Sequence, residues 1–432
     1  MGATRANRRA SRVINDIVTA VPEALELVIE SIAAGGDGVA RRDGMVVFVP
    51  RTAPGDRVTA QVTRERRMAR GQVQRIEVAS PDRAVPACPH YEGERCGGCQ
   101  LQHLTLDAQR EAKRHIVQDT LRRIGRRTIG LPSIRAAGSP WRYRERLSLA
   151  LRRRADGSWY AGLHSRDDVN TVFELKDCHI TDERVVVLWR QVMEAADGLP
   201  GAQQLRGTVR SVGDRGVFTL EGGASWDAAE TFAGRLAAFD HLWWVPEGGR
   251  RRRIGGTAAA NSAHGGFTQV NPAVAREMIA LVLERVLSYE PKHVLDAYAG
   301  AGDLSASLHA RGVRATAIEL DEDATAYASA RLSSPSRALA ARVEDVIARH
   351  LPADVVVLNP PRSGVDARVT AALESAAPVP KAIFYISCDP ATLARDLARM
   401  PSWEIRNVMA FDMFPQTAHV ETLVELTRTV PA

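Results

Sequence analysis

At 432 residues the chain is too long for a single hydrophobic core, so two to four domains are expected. It is 45% hydrophobic and 25% charged, an ordinary balance for a soluble protein, and no apolar run reaches the ~18 residues of a membrane span. Its formal charge of +6 is unevenly held: Arg110 to Arg154 contains 14 Arg plus Lys against three acids, so that stretch is +11 and the rest of the chain −5. Such a segment suits a surface that neutralises phosphates. A solvated helix face accounts for Arg122, Arg123, Arg126 and Arg127, whereas the interleaving with Trp141 and Tyr143 favours nucleic acid. Five cysteines make no disulfide scaffold.

Residues 1–23 read as a flexible tail, with an Arg-rich transit peptide as the alternative; Asp16, Glu23 and Glu26 interrupt any signal-like apolar core. From residue 24 to 82 the pattern is β. Leu25–Ile32 is followed by the turn Gly35-Gly36-Asp37-Gly38, then Met45 to Val49, then the Pro54-Gly55-Asp56 turn and an alternating run from Val58 to Val78. Short strands with glycine turns over about sixty residues predict a small closed barrel of the OB type, a scaffold that often binds single-stranded nucleic acid. Residues 83–265 form a central α+β region with the basic stretch. It opens on Cys88 and the pair Cys96-Gly97-Gly98-Cys99, whose glycines let a tight turn point two sulfurs at one metal. Cys178 is the candidate fourth ligand, and four cysteines suit an iron–sulfur cluster or a structural zinc alike. Helices are expected from about Leu104 to Ile124 and over 183–197, strands from Trp141 to Glu174 and over 205–265. The run Arg250 to Arg253 reads first as a solvated loop and second as a nucleic-acid contact.

From residue 266 to 432 the pattern becomes doubly wound α/β. Ala273–Leu287 is an amphipathic helix, and His293 to Ala297 a strand that enters the turn Tyr298-Ala299-Gly300-Ala301-Gly302-Asp303. A second strand ends at Glu319, an acid placed to bind a ribose diol, and a third ends at Asn359-Pro360-Pro361-Arg362. No diphosphate-type Gly-x-Gly-x-x-Gly is present, which favours S-adenosylmethionine over a dinucleotide. The buried run Ala382–Ser387 then meets Cys388-Asp389-Pro390 and a helix from Ala391 to Met400. Cys388 thus stands where a strand hands over to a helix N-terminus, where ionisation of a thiol should be favoured. A nucleophile is expected.

Four motifs in this order resemble the RNA uracil-5-methyltransferases, in particular the branch with an N-terminal TRAM barrel and an iron–sulfur cluster that methylates 23S ribosomal RNA. They are Ser387-Cys388-Asp389-Pro390, the set Cys88, Cys96, Cys99 and Cys178, Phe267 to Asn271, and Phe414 to Glu421. The likeness runs from about Leu25 to Leu426. It implies a multidomain fold: an OB-like TRAM barrel, a central domain with a four-cysteine cluster, and a C-terminal Rossmann-like methyltransferase domain. It implies Cys388 as the nucleophile that adds to uracil C6 and Glu421 as the base that removes the C5 proton, best served by a desolvated carboxylate. It also implies S-adenosylmethionine held by Gln269, Tyr298, Asp303, Glu319 and Asn359, and a [4Fe–4S] cluster held by the four cysteines. The expected partner is RNA, 23S rRNA before tRNA, in the cytoplasm, with neither a membrane nor an obligate protein partner. The sequence departs from the family in Asn359, where Asp is usual, in Asp303, where many relatives have Asn, and in a longer Cys88–Cys96 interval. Asn359 motivates an alternative, an RNA-binding or assembly protein that has lost activity. A radical S-adenosylmethionine enzyme is disfavoured, because the typical Cys-x-x-x-Cys-x-x-Cys spacing is missing.

Overall fold

The computed structural model describes residues 23–65, 68–257 and 269–428. Residues 1–22 of the expected tail and the motif residues Phe267 and Thr268 lie outside them, while Glu23, expected in the tail, opens the first strand. The described chain falls into two units that divide after Arg83.

The first unit is one six-stranded sheet, made of β1 (Glu23–Val28), β2 (Ser31–Ile32), β3 (Gly38–Arg42), β4 (Met45–Val49), β5 (Arg57–Glu65) and β6 (Met68–Val78) in the order β1-β5-β6-β4-β3-β2. Alternation along the strands puts Leu27, Val47, Val49, Val58, Ala60 and Val62 into one core. Its end strands are chain neighbours, and in the link between them Glu30 N donates to Val39 O of β3. No ladder among the described residues pairs β1 with β2. Asp56, fully buried, closes the turn after β4 by accepting from the backbone N–H of Ala53 and Ser80 and from Arg83 at 2.7 Å.

In the second unit the elements run α1 (Pro89–Glu92), α2 (Leu106–Arg123), β7 (Ser133–Arg135), β8 (Arg146–Arg153), β9 (Trp159–His164), β10 (Val172–Glu174), α3 (Glu183–Glu194), β11 (Gln204–Val212), β12 (Arg215–Glu221), α4 (Ala229–Gly234), β13 (Phe239–Val245) and β14 (Arg252–Gly255). There follow α5 (Pro272–Leu287), β15 (His293–Ala297), α6 (Asp303–His309), β16 (Arg314–Glu319), α7 (Glu322–Ala330), β17 (Arg337–Ala340), α8 (Val343–His350), β18 (Val355–Leu358), α9 (Ala367–Glu374), β19 (Ala382–Ser387), α10 (Pro390–Ala398), β20 (Glu404–Phe411) and β21 (Glu421–Thr427). They build two sheets. The first has the order β10-β9-β8-β11-β12-β13-β14, with α3 and α4 over a core of Leu149, Leu151, Trp189, Phe218, Phe232 and Phe239.

The second sheet has the order β17-β16-β15-β18-β19-β21-β20-β7. Its first five strands are parallel, and the chain leaves β15 for β16 and β17 on one side, then returns to β18 and β19 on the other. The gap between β15 and β18 is therefore a topological switch point, where ligands bind open α/β sheets. The uninterrupted apolar run of β19 is explained by burial on both faces: Ile383 and Tyr385 enter one core, Phe384 and Ile386 the other. β7, from the middle of the basic stretch, pairs with β20, and α2 packs on α10, so that stretch contributes to this sheet rather than standing apart from it. α10 starts on Asp389, whose carboxylate accepts from the N–H groups of Ala391 and Thr392, with Pro390 in the first turn.

Candidate active site at the carboxyl edge of the second sheet

β21 runs antiparallel between β19 and β20, and its register sets Thr422 opposite Ser387. One step outward, that pairing faces Cys388, just past the end of β19, with Glu421, the first residue of β21. Both line a cleft of about 1940 Å³. A reversed strand is what brings this carboxylate to the edge where the parallel strands end.

The site is poised electrostatically. Glu421 is 2% exposed, and its Oε2 has no hydrogen-bond partner. Burial pushes its carboxyl up to about 8, against an opposing pull from Arg362. The half-buried Cys388 thiol is likewise pushed up, first by burial and then by the Glu421 charge, while Arg362 offsets this with its own charge and a hydrogen bond. The helix-terminus expectation for Cys388 is therefore corrected. Asp389 consumes the first free N–H groups of α10 and adds its own negative charge beside the thiol, so the helix end does not acidify it. The cation that does oppose the upward shift is Arg362, from the turn after β18.

The cofactor candidates share the same edge. Tyr298 leaves β15 with φ +63°, and the turn continues through Gly300 and Gly302 with φ +55° and +75°. A side chain at Gly302 would also strike Ala328, 2.7 Å from the position of its Cβ. The Glu319 carboxylate is fixed by three backbone donors, Gly300 N at 2.9 Å, Leu320 N at 2.7 Å and Asp321 N at 2.9 Å. Asn359 follows β18 and donates its N–H to Ala297 O, which ties the two strands of the switch point together. Gln269, Tyr298, Asp303, Glu319 and Asn359 all line the cleft. Asp303 stands in the first turn of α6, mostly exposed and paired with Arg331 at 2.8 Å.

Sequence comparison gives this edge a context. The chain is 33% identical to the 23S rRNA (uracil(1939)-C(5))-methyltransferase RlmD of Halomonas elongata, over 93% of this chain and 89% of the relative. The RlmD of Chromohalobacter salexigens is also 33% identical, over 94% and 90% respectively. The chain belongs to the RNA uracil-5-methyltransferase family. An uncharacterized RNA methyltransferase of Halalkalibacterium halodurans is 31% identical over 94% of this chain and 97% of the relative. Residues 334–429 match the family described as tRNA (Uracil-5-)-methyltransferase, and 263–377 the methyltransferase small domain. The crystal structure of Pyrococcus abyssi tRNA (uracil-54, C5)-methyltransferase with S-adenosyl-L-homocysteine shares the fold. It superposes with a TM-score of 0.67 at 21% identity, covering 93% of this chain and all of that one.

Cys88, Cys96, Cys99 and Cys178 line the cleft as free thiols. Burial, and then the charges of Cys178, Cys96 and Cys88, drive the Cys99 thiol far above its ordinary range, so the four sulfurs lie within electrostatic reach of one another. Among the described residues no three Cys, His, Asp or Glu side chains stand at metal-holding spacing. Four thiols, one buried and three partly buried, are soft donors suited to metal by their chemistry, though among the described residues they do not stand at metal-holding spacing.

Arg362 is the functional candidate that motif reading passed over. Its only signal in the sequence is its place after Asn359-Pro360-Pro361, a stiff turn at the carboxyl end of a buried strand.

Proposed function

We propose that the protein transfers the methyl group of S-adenosylmethionine to C5 of a uridine in 23S rRNA, with Cys388 as nucleophile and Glu421 as base. What supports the reading above all is the facing of a thiol and an unpartnered buried carboxylate across β19 and β21, beside the glycine turn after β15. S-adenosylmethionine is consumed as a substrate and supplies an electrophilic methyl. The Cys388 sulfur, as thiolate stabilised by Arg362, adds to C6 of an extruded uracil and leaves an enolate-like carbanion at C5. C5 takes the methyl group, and S-adenosylhomocysteine departs. Glu421 Oε2 then accepts the C5 proton, and the C6–S bond breaks to return the thiolate. A carboxyl near 8 suits this proton transfer better than an ordinary carboxylate.

In this reading the first unit is the TRAM barrel, Gln269, Tyr298, Asp303, Glu319 and Asn359 bind the methyl donor, and residues 83–265 carry the RNA surface. Cys88, Cys96, Cys99 and Cys178 would hold a [4Fe–4S] cluster, whose contribution there is structural because all four positions come from protein. Asn359 in place of the family's Asp removes a charge from the donor site and makes the inactive alternative worth testing. The test is transfer of labelled methyl to unmodified 23S rRNA and to tRNA in parallel. Transfer to 23S rRNA is expected; cofactor binding without transfer to either would sink the enzyme reading. RNA carrying 5-fluorouracil should trap a covalent adduct with the wild-type protein and none with Cys388→Ala.

A further inference from the structure

The chain on either side of Cys388 carries a carboxylate that the chemistry above does not use. Asp396, in α10, is fully buried. A buried carboxylate is costly unless hydrogen bonds answer both its oxygens. Here they do. Oδ1 accepts from Arg395 Nε at 2.9 Å and from Arg399 Nη1 at 3.3 Å, both on the same helix. Oδ2 accepts from further away, from the Tyr385 hydroxyl of β19 at 2.8 Å and from Val365 N, in the chain that follows β18, at 2.9 Å. One carboxylate therefore joins the strand that leads into Cys388, the helix that leads out of it, and the segment that carries Arg362.

That segment is held at several points. Gly364 N donates to Pro361 O at 2.8 Å and closes a turn with Arg362 and Ser363 at its centre. Arg395, besides binding Asp396, donates from Nη2 to Ser363 O at 2.7 Å. Gly364 has φ +75°, and a Cβ there would strike Asp396 Oδ2 and Arg395 Nη2, so only glycine lets the turn close on the helix. Before the turn, Asn359 N is tied to Ala297 O. Arg362 itself is exposed on the cleft that Cys388 and Glu421 line. The position of its backbone, rather than packing around its side chain, therefore decides how near it comes to the thiol. The charges that act most on Cys388 are those of Glu421, Arg362 and Asp389, and that of Arg395 is not among them.

We propose that Asp396 and Arg395 are positioning residues, which hold the Pro361–Gly364 turn against α10 so that Arg362 reaches the Cys388 sulfur. Their part in methyl transfer rests on the reading of Cys388 as nucleophile, whereas the test reads the thiol directly and needs no transfer. Alkylation of Cys388 by iodoacetamide is followed against pH by peptide mass spectrometry in the full-length protein, in Arg395→Ala and in Gly364→Ala, each with Arg362 present and with Arg362→Ala. Arg395→Ala removes the Ser363 anchor at a half-exposed side chain, and Gly364→Ala forces the turn off the helix without altering charge. With Arg362 present, each should slow alkylation near neutrality about 3- to 10-fold, the worth of one hydrogen bond, and move the curve to higher pH. In the Arg362→Ala background each should change it by less than about twofold, because residues that act through a shared partner are not additive. A loss of equal size in both backgrounds would mean that Arg395, or the Asp396 carboxylate it leaves bare, acts on the thiol through its own field, and overturns the proposal. An unmoved alkylation curve overturns it too, and a lowered thermal midpoint beside that curve would mark a clamp that serves the fold alone. If the curves move as expected while wild-type protein transfers no methyl to RNA, the positioning stands and the methyltransferase reading falls.

Discussion

Removing Arg362 should expose how the site makes its thiolate. Arg362 opposes the effect of burial at both Cys388 and Glu421, at the thiol first through its charge and second as a hydrogen-bond donor. A hydrogen bond to a charged group contributes about 1.5–3 kcal/mol, and 1.36 kcal/mol is one pKa unit. Arg362→Ala should therefore push the Cys388 thiol further up and cut the thiolate present near neutrality about 10- to 100-fold. Arg362→Lys keeps a positive charge without the planar fork and should recover part of this. Two readouts isolate the effect: the pH dependence of Cys388 alkylation by iodoacetamide, resolved by peptide mass spectrometry, and the pH profile of methyl transfer. Both curves should move to higher pH in Arg362→Ala and converge on wild type in alkaline buffer. A loss of activity that is uniform across pH, with an unmoved alkylation curve, would refute the role and leave Arg362 as an RNA contact.

Glu421→Gln should still add to the uracil ring but stall before the C5 proton leaves, so a covalent protein–RNA species accumulates on denaturing gels while turnover falls about 10²- to 10⁴-fold. With the Glu421 carboxyl near 8, its basic form is scarce at pH 6 and grows with pH, so wild-type kcat/KM should climb between pH 6 and 8. The same upward shift has a stability consequence. The folded protein ionises this group only near 8 and the unfolded chain near 4.5, so the stability it contributes is full below 4.5 and declines as pH rises towards 8. The thermal midpoint of Glu421→Gln should accordingly gain on wild type as pH rises across that window. Lys113→Met alone should destabilise by about 3–5 kcal/mol in denaturant titration, because it leaves the buried Asp412 only the longer contact to Arg110 at 3.4 Å, and pairing it with Asp412→Leu should restore part of the loss.

What the sequence made legible was local. The glycine turn after β15, the acid ending β16 and the strand-to-helix step at Cys388 each depend on residues a few positions apart, and each is found at the same edge. Glu421 was different. By itself it reads as a surface residue on a closing strand, and only the motif resemblance singled it out. Its burial follows from β21 being inserted antiparallel between β19 and β20, a long-range pairing that no local pattern encodes. The thiol misled for a related reason: a helix N-terminus was visible, but Asp389 consumes its donors and Arg362 acts from a turn 26 positions earlier. Net charge overstated the α2 surface, since ion pairs at i,i+3 and i,i+4 along the helix occupy Arg114, Arg122 and Arg123.

The reversed strand also explains why so much of the chain converges on the segment before Glu421. To enter β21 from β20, the backbone makes a compact, buried turn through Asp412 to Val420, with Gln416 in a left-handed conformation at φ +70°. Its polar groups must be answered locally. Gln109 and Gln416 exchange hydrogen bonds at 3.0 and 2.9 Å, Lys113 donates to Phe414 O, and Tyr143 donates to Pro415 O. Gln416 O accepts from Gln100 N and Leu101 N, and the Gln100 side chain links Gly97 O to Ala418 N. The turn that aims the Glu421 carboxylate is thus held by α2 and by the residues directly after Cys99. Disorder in the cysteine loop would reach Glu421 through two residues, Gln100 and Gln416, without any step of the chemistry passing through a metal.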